Sequence, residues 1–215
     1  MKKRYQAVIF DLDGVLAYTE PAIFRILNKL VAKYEIELDD TDYHALFGLD
    51  YPDTARYLIT HYNIPETEEL LVEQLLTAVL TQIEDELEPA PGGSELVKSL
   101  AEHGFLLGVA SNSPSEYVRR IVHGLGLSAL LPVPVGRNDV ANGKPFPDPY
   151  LEACRRAGAD PARSLAIEDS PVGAQSALSA GMTCVFIGNR FPPGFEKRVI
   201  LMPDLPALQQ ALLAG

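Results

Sequence analysis

The sequence predicts an α/β protein, a parallel-sheet core interrupted by an all-helical insert. Three observations lead there. Short apolar runs without clean alternation are interleaved with helical patterns, as βαβ units require. Residues 17–87 show helical periodicity and no convincing strand. That stretch ends at Glu88-Pro89-Ala90-Pro91-Gly92-Gly93, a proline- and glycine-rich boundary. The expected organisation is a core made of residues 1–16 and 88–215, with residues 17–87 inserted after the first strand.

The elements follow in order. Tyr5–Phe10 reads as a strand covered on both faces. In the insert, Ile23, Phe24, Ile26, Leu27, Leu30, Val31 and Tyr34 recur at helical spacing, as do Leu70, Leu71, Leu75, Val79, Leu80 and Ile83. Beyond the boundary, strands are expected at Leu106–Ala110, Pro132–Val135, Ser164–Ile167 and Thr183–Ile187. Helices are expected at Ser94–His103, Pro114–His123, Pro147–Ala157 and Pro171–Ala180. Two strands run into polar residues followed by a proline: Ser111-Asn112-Ser113-Pro114 and Glu168-Asp169-Ser170-Pro171. Proline suits the start of a helix, and exposed N–H groups there favour an anion. Open α/β sheets bind ligands at the carboxyl ends of their strands, where these polar residues gather.

Composition excludes several classes. The 215 residues carry 18 basic against 29 acidic side chains, a net charge of −11, so neither nucleic acid nor an anionic membrane is a favoured partner. No apolar run approaches a membrane span, and the basic start Met1-Lys2-Lys3-Arg4 precedes too short an apolar run for a signal peptide. Cys154 and Cys184 give no disulfide framework and read as buried thiols. The cytoplasm is the default compartment, and a monomer needs no extra assumption.

The first strand ends in Asp11-Leu12-Asp13-Gly14-Val15-Leu16. Two carboxylates one residue apart at a buried strand end repel each other unless a cation or a proton intervenes. Gly14 permits a sharp exit turn. This segment resembles the first signature of the haloacid dehalogenase (HAD) superfamily. Ser111 resembles the second; Lys144, in Gly143-Lys144-Pro145-Phe146-Pro147-Asp148-Pro149, the third. Glu168-Asp169-Ser170, with Gly173 and Ala180-Gly181, resembles the fourth. All four occur in order, each at a strand end or helix start, and the resemblance covers the whole chain.

The resemblance implies a Rossmann-like core with a C1-type cap and an Mg²⁺-dependent hydrolase of phosphate esters. Asp11 would be the nucleophile that takes the phosphoryl group. Asp13 would protonate the leaving oxygen and then activate water. Ser111, Asn112 and Lys144 would contact the phosphate. The metal would be held by Asp11, the backbone carbonyl of Asp13, and Asp169, with Glu168 acting directly or through water. Oxygen donors suit Mg²⁺, and a covalent intermediate splits a slow hydrolysis into two steps. An aspartate two residues after the nucleophile sets this chain apart from the dehalogenase and phosphonate-cleaving relatives.

Taken singly, each residue has a plainer reading. Lys144 could be a solvated lysine, Ser111 or Ser113 a helix cap, and Glu168-Asp169 a charge pair at a helix start. Gly124-Leu125-Gly126-Leu127-Ser128-Ala129 fits a loose dinucleotide fingerprint but follows a helix, so it reads as helix termination. Gly143-Lys144 is no P-loop, because Asn138 and Pro145 stand where glycine and a hydroxyl residue belong, and Asp11-Leu12-Asp13 is no EF-hand. His44, His61, His103 and His123 show no metal-ligand pairing.

Caps of this superfamily close over the site and choose the substrate; hinges are expected near residues 15–19 and 87–92. Glu20 and the segment Phe47-Gly48-Leu49-Asp50 resemble the substrate-facing part of such a cap. Several relatives carry a basic residue beside that glycine, where this chain has Leu49 and Asp50, which weakens a sugar-bisphosphate substrate. Arg56 and Lys33 read as solvated helix faces. The leading expectation is a phosphatase of small metabolites, a sugar phosphate or a phosphoglycolate-like compound. A β-phosphoglucomutase-like phosphomutase is the alternative, and a catalytically idle binding protein the third reading.

Overall fold

The computed structural model describes residues 5–47, 49–191 and 193–213. The basic start at residues 1–4 and Gly48 lie outside them. The chain folds as two compact units, residues 1–18 with 89–215 and residues 19–88.

The larger unit is built on a five-stranded parallel sheet. Its strands are β1 (Ala7–Phe10), β4 (Leu106–Val109), β5 (Ser164–Glu168), β6 (Thr183–Ile187) and β7 (Val199–Met202). Their order across the sheet is β4-β1-β5-β6-β7. β1 lies between β4 and β5 and is buried at every residue, as its unbroken apolar run implies. Phe10 is level with Val109 on one side and Ile167 on the other, so three strands end within one residue of one another. Four helices expected from the sequence are present: α5 (Gly93–Glu102), α6 (Ser115–Gly124), α7 (Asp148–Ala157) and α8 (Pro171–Ser179). α7 stops at Gly158 in the left-handed conformation (φ 69°), and α8 starts with Ser170 as N-cap and Pro171 in its first turn.

The structure departs from the sequence reading at three points. Pro132–Val135 is no strand: only Val135 bridges, to Ala110, since Pro132 and Pro134 have no N–H to give a ladder. A fifth strand, β7, and a final helix, α9 (Leu205–Leu213), were not anticipated. Neither Ser111 nor Ser113 caps α6, whose N-cap position is Pro114. The glycines after α6 do end that helix, with Gly126 left-handed (φ 69°).

The smaller unit holds α1 (Thr19–Val31), α2 (Asp40–Leu46), α3 (Tyr51–Tyr62) and α4 (Glu68–Glu86). α1 and α3 pack against α4 around Leu27, Leu58, Leu71 and Leu75. Side-chain caps start three of these helices: Asp39 for α2, Asp50 for α3 and Thr67 for α4. The strands β2 (Ala17–Tyr18) and β3 (Glu88–Pro89) pair where the chain passes from one unit to the other and back. No described helix is long and apolar enough to cross a membrane.

Candidate active site

Asp11 is the first residue beyond β1. Its N–H still donates to the Ile167 carbonyl at 2.9 Å, so the ladder fixes its backbone, and its side chain is buried. The chain then turns back at once, with the Leu12 carbonyl accepting the N–H of Leu16 at 2.9 Å. Gly14 sits in that turn at φ 83°, where a Cβ would fall 2.0 Å from Oδ2 of Asp169. Glycine is needed there twice over, for the backbone and for room beside the Asp169 carboxylate.

Lys144 reaches this point from the loop before α7. Its Nζ donates to Asp11 Oδ1 at 2.5 Å and to Glu168 Oε1 at 2.6 Å. The Asn112 side chain fixes the lysine backbone from both sides: Oδ1 accepts the Lys144 N–H at 2.7 Å and Nδ2 donates to the Lys144 carbonyl at 3.2 Å. The next residue back must be small, because a Cβ on Gly143 would lie 2.6 Å from Asn112 Oδ1.

Glu168, the last residue of β5, is fully buried and anchors the lysine. Its Oε1 also accepts the Tyr150 hydroxyl at 2.7 Å, and its Oε2 accepts the Ser170 hydroxyl at 3.0 Å. Ser170 uses the same oxygen to cap α8, accepting the Gly173 N–H at 3.0 Å. A Cβ on Gly173 would come within 1.8 Å of Glu168 Oε1, so that glycine leaves the space the carboxylate fills.

Asp13 is held by hydroxyls. Ser113 donates to Oδ2 at 2.9 Å and Ser111 at 3.2 Å, while Tyr117 donates to Oδ1 at 3.3 Å.

Burial raises the Asp11 carboxyl well above the usual carboxylate range; Lys144 pulls against that rise, and the Glu168 and Asp13 charges add to it. Asp169 opens to solvent on one side, yet burial of its carboxylate, with the Glu168 charge next, lifts it to about 6. Burial works against the Lys144 ammonium too, but Asp11 and Glu168 outweigh it and hold its pKa above the ordinary lysine value. Ligand oxygens of Asp11, Glu168 and Asp169 all lie within 4.8 Å of one another. One ammonium among these acids leaves negative charge in excess, and all the donors are hard oxygens. That set fits a divalent cation of the Mg²⁺ type.

Asp11, Lys144, Glu168 and Asp169 therefore converge, with Asp13 and Ser111 in hydrogen-bond contact beside them and Asn112 behind Lys144. Glu20, Leu49 and Asp50 belong to the other unit. Glu20 is in the first turn of α1, Leu49 is exposed, and the Asp50 side chain is occupied as the cap of α3, accepting the Asp53 N–H at 2.8 Å. Tyr117, Tyr150 and the link from Ser170 to Glu168 were not foreseen. A tyrosine buried in an otherwise amphipathic helix is the signal that could have marked the first two, since a buried hydroxyl needs a partner.

A model of the haloacid dehalogenase-like hydrolase family matches residues 8–187. The bifunctional riboflavin kinase/FMN phosphatase of Arabidopsis thaliana is 30% identical over 96% of this chain, which spans 50% of that protein's length. The Escherichia coli fructose-1-phosphate phosphatase YqaB is 30% identical, over 86% of this chain and 97% of its own. A HAD family hydrolase of Deinococcus radiodurans, solved with bound phosphate and sodium, superposes with a TM-score of 0.72 at 25% identity, covering 97% of this chain and 95% of that one.

Proposed function

The chain belongs to the haloacid dehalogenase-like hydrolases, and we propose that it is a phosphatase of small phosphorylated metabolites working through a phosphoryl group carried on Asp11. The observation that carries this reading is the Lys144 ammonium 2.5 Å from Asp11 and 2.6 Å from Glu168, beside the Asp169 carboxylate. Lys144 holds the nucleophile in place and offers positive charge where a phosphate monoester would otherwise be repelled.

In the first half-reaction an Asp11 oxygen bonds to phosphorus, the bond from phosphorus to the leaving oxygen breaks, and Asp13 gives its proton to that oxygen. In the second, water bonds to phosphorus, Asp13 takes the water proton, and the bond to Asp11 breaks. Ser111 and Lys144 bind the phosphoryl oxygens. Asp11, Asp169 and the backbone carbonyl of Asp13 would hold Mg²⁺, which when bound neutralises charge between the phosphate and the carboxylates. Glu168 is assigned to Lys144 rather than to direct metal contact, because its oxygens already accept Lys144, Tyr150 and Ser170.

The substrate is assigned as a sugar phosphate or a phosphoglycolate-like compound, and its choice to the inserted unit. The likeness to the fructose-1-phosphate phosphatase of E. coli supports the class. Asp11→Asn should lower turnover of p-nitrophenyl phosphate with Mg²⁺ by roughly 10⁴-fold or more. Substantial activity in that variant would overturn the reading. Weighing inorganic phosphate released against isomerised sugar phosphate separates hydrolysis from phosphomutase action.

A further inference from the structure

We infer that Ser113 and Tyr117 are positioning residues dedicated to Asp13, which they hold through both half-reactions, whereas Ser111 holds it only until substrate arrives. The inference rests on the phosphatase reading and adds to it.

Both oxygens of the Asp13 carboxylate are engaged, Oδ2 by Ser113 and Ser111, Oδ1 by Tyr117. A grip on both oxygens fixes the rotation of the carboxylate plane as well as its place. The donors come from two different segments. Ser111 and Ser113 lie in the loop leaving β4, and Tyr117 projects from α6, where it is 3% exposed. Helix α6 starts without a side-chain cap, although Ser113 immediately precedes its N-cap residue. At the N-cap itself a serine would turn toward the helix N–H groups. This one turns to Asp13 instead.

The three hydroxyls are not equivalent. Ser111 Oγ already accepts the Ser113 N–H at 3.0 Å and donates its single proton to Asp13. A hydroxyl has one proton to give. When Ser111 donates to a phosphoryl oxygen, its bond to Asp13 must break. Ser113 and Tyr117 then still hold Asp13. Their hydroxyls can donate to either form of the group, because a protonated carboxyl keeps acceptor capacity beside its one O–H. They can therefore stay in place while Asp13 gives its proton to the leaving oxygen and later takes one from water.

The test compares kcat/KM for an alkyl phosphate, whose leaving group needs a proton, with that for p-nitrophenyl phosphate, whose leaving group scarcely does. Tyr117→Phe and Ser113→Ala should each lower the alkyl value by about tenfold and the aryl value distinctly less, and Ser113→Thr should restore the alkyl value. Equal losses on both substrates, no loss, or no rescue by threonine would overturn the inference. If Tyr117→Phe fails to fold, the Ser113 pair decides alone. Asp13→Asn, run alongside, separates the two levels. Full alkyl turnover in that variant would sink the phosphatase mechanism itself. A slow Asp13→Asn with unaffected Ser113 and Tyr117 variants would sink only the positioning role.

Discussion

Each unit of the molecule buries carboxylates, and they behave in opposite ways. In the inserted unit Asp42 is 2% exposed and accepts the Tyr57 hydroxyl at 2.8 Å, the Tyr62 hydroxyl at 2.5 Å and the Asp39 N–H at 2.9 Å. Burial pushes its pKa up, but these donors outweigh it, Tyr62 foremost, and the net direction is down. In the core, Asp11 and Asp169 move up. The same desolvation acts in both places. What differs is whether neutral donors saturate the carboxylate or leave its charge to be answered by something else. A saturated buried acid fastens helices together, and an unsaturated cluster is equipped to hold a cation.

The largest effect that would sharpen this contrast comes from Lys144→Ala. Removing the ammonium should lower kcat/KM for an aryl phosphate by roughly 10²–10³-fold. Leaving Asp11 and Glu168 buried without it should cost about 3 kcal/mol in urea unfolding without divalent ions. Wild-type stability or rate in this variant would break the comparison on the core side.

Asp42→Asn comes next. It should cost about 1–3 kcal/mol of stability through the tyrosine and backbone bonds it weakens. Turnover of p-nitrophenyl phosphate well below the melting temperature should stay as in wild type. A selective loss of turnover with stability intact would show that the inserted unit's acid is more than a fastener.

The pH dependence of stability should show the two acids as two opposing limbs. The pKa of Asp42 is lowered on folding, so its contribution is present above the ordinary carboxylate value and is lost as pH falls below it. Asp169 is raised to about 6, so between the ordinary carboxylate value and about 6 the unfolded chain binds fewer protons than the native one. Stability of the metal-free protein should therefore fall as pH rises through that window. Melting temperatures across acidic pH would check both limbs. Asp42→Asn should weaken the first, to which Glu86, Asp139 and Glu152 also contribute, and Asp169→Asn should weaken the second, while Mg²⁺ should flatten the second in wild type.

The smallest effect is expected at Arg56, whose side chain is exposed, as are those of its partners Asp53 and Glu68. Arg56→Ala should leave the melting temperature unchanged, because exposed pairs are screened and pay side-chain entropy. A clear drop would mean that charge matters in the insert as it does in the core.

Most of the sheet was legible because β1, β4, β5 and β6 are apolar runs followed by turn chemistry. β7 was not, since no helix is found among the described residues that join it to β6, which breaks the rhythm that marked the others. Pro132–Val135 looked apolar enough for a strand, but composition hides the missing N–H groups. At the site, Asp11, Asp13, Lys144, Glu168 and Asp169 could be picked out because the four signatures that hold them occur together and in order, although each residue alone has a plainer reading. The hydroxyls of Tyr117 and Tyr150 could not be, because their partners lie 104 and 18 residues away and only the folded sheet brings them near. The contact of the Asn112 amide with the Lys144 backbone, a pairing across 32 residues, was equally hidden.

The ammonium of Lys144, lodged between Asp11 and Glu168, amounts to a counter-ion that the polypeptide brings with it. Some small metal-dependent domains stay unfolded until their ion arrives. With a counter-ion of its own, this chain would separate assembly from ion uptake. On the proposed mechanism, ion supply would then govern how fast each molecule works rather than how many fold.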